Sequence, residues 1–284
     1  MRVNGASPLA EGVIIKNPAH MMAYAICVAE AYEAAPRHDP AADRLWTLLK
    51  RHNADKLFRR LHGTGIQVAY TPDDPYSKYT NDPAMMVRFM LFDMVVRNRL
   101  LIYSGHSDDH PNFSAEENVI FRTVHDYFTH GKLFATFKRN LLKVAPEMVK
   151  GRDPTPEQLL RVLPHVSLAT GGNLGHEFTL RGELNAAMTH IRLAPKAVAP
   201  ALFTEVAGQV CYNVICGHFP QQKVAVLPGF DYFNIGRVLP GTVASDCMTD
   251  LFHQITQAKP TDVIKMHLRT KPEITVAALR SAFR

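Results

Sequence analysis

The sequence predicts a mainly α protein, a single helical domain over residues 1–284 with a few short β-strands. Three observations predict it. Apolar residues recur at helical spacing in several stretches of a dozen residues or more, caps and prolines mark where those stretches open, and period-two alternation is confined to short runs. With 46% hydrophobic and 20% charged residues, the 284-residue chain is long enough to bury a sizeable core. That composition excludes disorder, collagen-like repeats and a disulfide scaffold. No repeat or linker divides the chain.

The elements follow in order. Asn17-Pro18 pairs a cap with a proline suited to the first helical turn, and Met22, Ile26 and Ala29 continue a helix to Ala35. Pro36 to Pro40 breaks it. A second helix is expected from Ala41 to about Leu61, with Leu45, Leu48, Leu49, Leu57 and Leu61 on its buried side. Ile66 to Tyr70 alternates as a strand should, and Leu100 to Tyr103 is a second strand candidate. Between them a helix starts near Asp82 with Pro83 in its first turn. Ser107 to Pro111 reads as a loop. Ser114 and Glu117 then form a capping box opening a helix from Ala115 to about His130, where Gly131 supplies a stop.

Downstream, a basic helix from Lys132 to Lys143 and a short helix opened by Thr155-Pro156-Glu157 lead to LATGGNLG, which lacks the lysine of a phosphate loop and reads as a turn. Helices are expected at Phe178 to Leu193 and Pro200 to Ile215, separated by Pro195. Val224 to Leu227 is a short apolar strand or extended segment, followed by an aromatic loop. A helix from Val243 to Ala258 and another near the C-terminus finish the chain.

Several function classes are disfavoured by composition. No apolar run reaches the ~18–20 residues of a membrane span; the best candidate, Met85 to Val96, is interrupted by Arg88 and Asp93. The N-terminus lacks the apolar core of a signal peptide, so no membrane partner and a reducing, cytoplasm-like setting are expected. The four cysteines read as buried thiols, with Cys27 and Cys247 isolated and Cys211 and Cys216 on different sides of one helix. A net charge of +6 permits nucleic-acid contact without requiring it, because the basic residues are scattered except for a mild C-terminal concentration.

Chemistry concentrates in three constellations. In VHDYFTH (Val124 to His130), Asp126 and His130 share a helix face, whereas His125 and His130 lie about 140° apart on an ideal helix. They converge only if the helix tightens or unwinds before Gly131. In RGELNAAMTH (Arg181 to His190), Glu183 and His190 are two turns apart on one face, with Ala186 and Ala187 leaving a hollow between them. In FTEVAGQV (Phe203 to Val210), Glu205 and Gln209 form a polar stripe, and Gly208 is expected to permit close approach of another backbone. Each constellation also has a structural reading: a helix end placed at its dipole, close helix packing, and a solvated face. Together they predict a polar, metal-like cluster between three central helices, where a mixed His and carboxylate set would accept divalent zinc, iron or manganese.

The same residues carry a resemblance. VHDYFTH, F-x-x-x-GE-x-x-A-x-x-x-H (Phe178 to His190), ALFTE-x-x-GQ (Ala201 to Gln209) and QKVAVLP (Gln222 to Pro228) resemble a bacteriophage and prophage family whose members also occur inside large polyvalent phage proteins. HPNFSAEENVIFR (His110 to Arg122) and the DPY near Pro75 belong to the same pattern. The resemblance spans about Asp74 to Pro228, with an insertion over about 132–175 that departs from the family's short connection. It implies phage origin, in the host cytoplasm or the virion, but no established activity.

The sharper expectation is therefore a metal-dependent hydrolase, a peptidase or nuclease. His125, His130 and His190 would be nitrogen ligands and Glu183 an oxygen ligand. Glu205 or Asp126 would be the general base, Gln209 would orient the water, and Arg181 or Arg122 would neutralise developing negative charge. The alternative is a non-catalytic virion or host-interaction protein whose His/Glu cluster is a structural hydrogen-bond network. A redox di-metal centre is disfavoured, since no helix carries E-x-x-H.

Overall fold

The axis of the fold is α1 (Pro18–Ala34) in a computed structural model that describes residues 18–76, 83–146, 161 and 180–257. Every residue from Ala23 to Ala29 is buried, so this helix is apolar all round and sits inside the protein. The second expected helix is built in three parts. A short 3₁₀ turn (Pro40–Ala42), capped by the Asp39 side chain, leads into α2 (Asp43–His52), which widens into a π-helical stretch (Asn53–Phe58) before a last turn, α3 (Arg59–His62).

The two strands are β1 (Gln67–Thr71) and β2 (Arg99–Tyr103), and they pair in parallel from Gln67↔Arg99 to Thr71↔Tyr103. Parallel neighbours need a long crossover, here supplied by α4 (Pro83–Val96). That helix is apolar nearly all round. Its one buried acid, Asp93, is paired with Arg97 and Arg99. The expected loop at 107–111 contains a 3₁₀ turn (Ser107–Asp109). The capping box opens α5 (Ala115–Phe128) as expected: Ser114 Oγ accepts from the Glu117 N–H at 3.2 Å, and the Glu117 carboxylate accepts from the Ser114 N–H at 2.8 Å.

α5 stops two residues sooner than its sequence suggests. Thr129 caps it, a 3₁₀ turn (His130–Leu133) follows, and α6 (Phe134–Val144) begins where the basic helix was expected, shifted by two residues. Gly131 packs this turn closely on α4: a Cβ there would meet Met94 Cε at 3.1 Å and push the methionine end aside.

Further along the described residues come α7 (Leu180–Leu193) and, after a 3₁₀ turn (Lys196–Val198), α8 (Ala199–Leu202). A second π-helical stretch (Phe203–Gly208) leads to α9 (Gln209–Cys216), and α10 (Val243–Gln257) follows. The extended segment at 224–227 is no strand; Val224 makes a single parallel bridge to His38. The LATGGNLG turn and the C-terminal helix lie outside the described residues, as does the Thr155-Pro156-Glu157 opening of the expected short helix, of which residue 161 is described as helical.

Two apolar clusters result. One gathers α1, α2, α7, α9 and α10 around Tyr24, Trp46, Phe203 and Phe230. The other gathers α4, the strand pair and α6 around Phe92, Ile102 and Phe137. α5 spans the seam. Its Phe121 belongs to the first cluster, and Tyr127 and Phe128 pack against the second.

Candidate metal centre

The end of α5 brings its two histidines together. The Thr129 N–H and hydroxyl both donate to the His125 carbonyl, at 2.9 and 2.5 Å, and close the helix. The 3₁₀ turn that follows swings His130 back toward His125. Their rings meet edge to face with centroids 5.1 Å apart, an approach that a continued α-helix would not allow. Glu183, from the first turn of α7, completes the group. Its Oε2 lies 3.4 Å from His130 Nε2 and 3.9 Å from His125 Nε2. The ligand atoms of His125, His130 and Glu183 all lie within 4.8 Å of one another.

That spacing fits an ion. Tetrahedral zinc with bonds of ~2.0–2.1 Å holds neighbouring ligand atoms about 3.4 Å apart. The His130–Glu183 pair already has this separation, His125 would close on Glu183 by roughly 0.5 Å, and all three ligand atoms lie within 4.8 Å. Two imidazoles and one carboxylate form the ligand set of hydrolytic zinc sites, which leave a fourth position for water. His130 is almost sealed at 1% side-chain exposure, while His125 at 12% and Glu183 at 16% leave one edge open. Comparison with family models, curated proteins and solved structures gives no match.

The two carboxyl groups of the site are driven in opposite directions. Burial alone would push Glu183 up, but the His130 charge and the hydrogen bonds from His130 and His125 outweigh it and hold Glu183 well below the usual carboxylate range. Asp126 follows His125 in the chain. Burial pushes its carboxyl up; His125, His130 and Arg122 oppose that shift, and the Glu183 charge reinforces it. Paired acids with separated proton affinities are the usual division of labour between a charged ligand and a proton carrier.

His190 stands one layer behind. It is fully buried against His125, with centroids 5.7 Å apart, and against Phe121 at 5.3 Å. Its Nε2 lies 3.3 Å from Asn53 Oδ1. Burial, aided by His125 and His52, lowers its proton affinity well below that of an ordinary imidazole. A neutral ring thus backs the cluster, and His190 is not among the three residues whose ligand atoms converge. Its Nδ1, His125 Nδ1, His52 Nδ1 and Asn53 Nδ2 are all buried without a hydrogen-bond partner, a concentration of orphaned polar atoms that ordinary cores avoid.

Glu205 and Gln209 occupy a different place. Glu205 Oε1 accepts from Trp46 Nε1 at 2.9 Å and from His110 Nε2 at 2.7 Å, and its Oε2 accepts from Gln209 Nε2 at 2.8 Å. His110 Nδ1 accepts the N–H groups of Asn112 and Phe113, which puts the ring proton on Nε2, facing Glu205. This network is complete without an ion. A ladder of rings separates it from the metal candidate: His110 stacks on Phe113, Phe113 meets Phe121, Phe121 meets His190, and His190 meets His125. The third helix expected to line one common pocket therefore carries its acid to a site of its own.

The arginines divide similarly. Arg181 sits half-buried in the turn of α7 that carries Glu183. Arg122 donates to the carbonyls of Tyr103, Gly105 and His106 and lies over the Tyr103 ring at 5.4 Å, so it clasps the end of β2. Gly208 approaches a ring rather than a backbone: a Cβ there would fall 2.6 Å from Tyr32 Cδ2.

Sequence reasoning missed His52, Asn53, Trp46 and the role of His110. Both polar intrusions fall on π-helical stretches, Asn53 opening the first and Glu205 inside the second. Such stretches insert an extra residue and re-aim side chains, often at functional sites. A cleft of about 380 Å³, lined by Lys50, Arg51, Asn53, Phe113, Glu117 and Phe121 among others, is lined by none of His125, His130 and Glu183; its Asn53 and Phe121 touch His190.

Proposed function

We propose that the protein is a metal-dependent hydrolase of bacteriophage origin, acting on a peptide or phosphodiester bond in the host cytoplasm or from the virion. The observation that carries this reading is the convergence of His125, His130 and Glu183 within 4.8 Å at a partly open seam. A divalent ion held there would lower the pKa of a bound water and polarise the scissile group. Zinc suits the ligand set best, ahead of iron or manganese. Glu183 stays charged as the oxygen ligand. Asp126, which feels both imidazoles and the Glu183 charge, would act as the general base that takes the proton of the attacking water. Arg181, in the same helical turn as Glu183, is the cation for negative charge developing on substrate.

A second reading has its own observation. The Glu205 network is satisfied internally, as expected for a non-catalytic virion or host-interaction protein whose polar core fixes helix register. Hydrolysis assays on plasmid DNA and on an unfolded protein substrate separate the two. The hydrolase reading expects cleavage of one class that chelation abolishes, metal restores and Asp126→Asn suppresses. Absence of cleavage of both with zinc, manganese or iron(II) supplied would overturn it.

A further inference from the structure

Cys27 and Cys247 are 220 positions apart in the chain, yet their sulfur atoms lie 2.8 Å apart. Cys27 is on α1 and 3% exposed; Cys247 is on α10 and half-buried. The Cys247 thiol also donates to Glu30 Oε2 at 3.2 Å, and Glu30 lies one turn on from Cys27 on the same helix. Far from being isolated, the two thiols form a contact between neighbouring helices with a carboxylate at its open edge. We propose that they form a reversible disulfide that fastens α10 to α1, made by exchange with a small disulfide such as oxidised glutathione.

The geometry makes this an easy closure. A disulfide holds its sulfurs ~2.05 Å apart, so the pair must close by less than ~1 Å, within reach of side-chain rotation while the packed helices stay in place. Cys247 is the reachable sulfur. It gives its proton to Glu30, and through it to water, and attacks one sulfur of the oxidant. That S–S bond breaks, one thiolate leaves, and Cys247 carries a mixed disulfide. Cys27 then attacks Cys247 Sγ, the new bond forms, and the second thiolate leaves with the Cys27 proton. Two protein thiols are oxidised by two electrons, and one small disulfide is reduced to two thiols. Cys211 and Cys216 are buried on α9, and burial pushes the Cys211 thiol up, which keeps it out of the exchange.

The bridge encloses nearly all of the described chain while its two residues stay outside the His/Glu cluster, so it acts on stability and on the anchoring of α10, independently of the hydrolase reading. The test is to incubate the full chain with oxidised glutathione and map its peptides without reduction. The expected result is a Cys27–Cys247 linked pair that a thiol reductant releases, with an unfolding temperature at least roughly 5 °C above that of the reduced protein. Cys27→Ser should stop at a glutathione adduct on Cys247, and Cys247→Ser should show neither species. The proposal is overturned if wild-type protein accumulates the Cys247 adduct without a linked pair. It is equally overturned if both thiols stay reduced while the protein remains folded.

Discussion

Replacing Glu205 with leucine should strand the donors that now converge on its carboxylate. The indole N–H of Trp46 and the Nε2–H of His110 both donate to this carboxylate, and both side chains are buried. Each stranded donor costs about 1–3 kcal/mol, so Glu205→Leu should lose about 2–6 kcal/mol from a total that for most domains is about 5–15. Glu205→Gln behaves differently. An amide oxygen in the Oε1 place still serves Trp46 and His110, and Gln209 turns its own amide to accept from the new NH₂. The loss is then about 1–2 kcal/mol, because three charge-assisted bonds become neutral while a buried charge is relieved. Trp46 is the only tryptophan in the chain, so urea unfolding followed by its fluorescence reports this network directly. If Glu205→Leu unfolds within about 1 kcal/mol of wild type, the structural role is wrong. If Glu205→Gln stays folded but abolishes hydrolysis, Glu205 belongs to the catalytic machinery after all.

Other perturbations test other parts. Gly208→Ala drives a methyl into the Tyr32 ring, which the Gln221 carbonyl and Lys223 hold in place; the clash of about 1–3 kcal/mol should exceed the ~1 kcal/mol gain in helix propensity, and a raised melting temperature would contradict it. Ser114→Ala removes half of the capping box and should lower stability by ~1 kcal/mol, read from a denaturant midpoint shift at unchanged slope. Burial lowers the proton affinity of His52, so the unfolded chain binds its proton first as pH falls below 6.5. The stability this ring contributes is complete above pH 6.5 and drains away as pH falls toward its folded value. Denaturation between pH 7.5 and 5.5 should therefore show a shallower acid loss in His52→Gln than in wild type, and equal slopes would contradict the assignment.

Much of the fold is written in local signals. The Ser114/Glu117 box, Pro18, Pro83 and Pro200 mark helix starts, alternation finds β1, and the apolar run Leu100 to Tyr103 finds β2. The parallel pairing of those strands is not local, because it depends on α4 crossing between them. Both π-helical stretches were illegible, since NADKLF and FTEVAG carry ordinary helical spacing and nothing in either marks the inserted residue. The site was partly legible for the same reason. His125 and His130 looked divergent on an ideal helix, and only the early stop at Phe128 reunites them. Glu205 shares the composition of a ligand but answers to Trp46 and His110, 159 and 95 positions away, which no spacing rule connects. The contact between Cys27 and Cys247 is of that kind too.

The central claim is that His125, His130 and Glu183 hold one ion. Elemental analysis of the full chain, loaded with zinc and cleared of free metal, tests it most directly. About one equivalent is predicted in wild type and in Glu205→Gln, with strong loss in His130→Ala and Glu183→Ala. Equal metal content in wild type and these last two variants would contradict it.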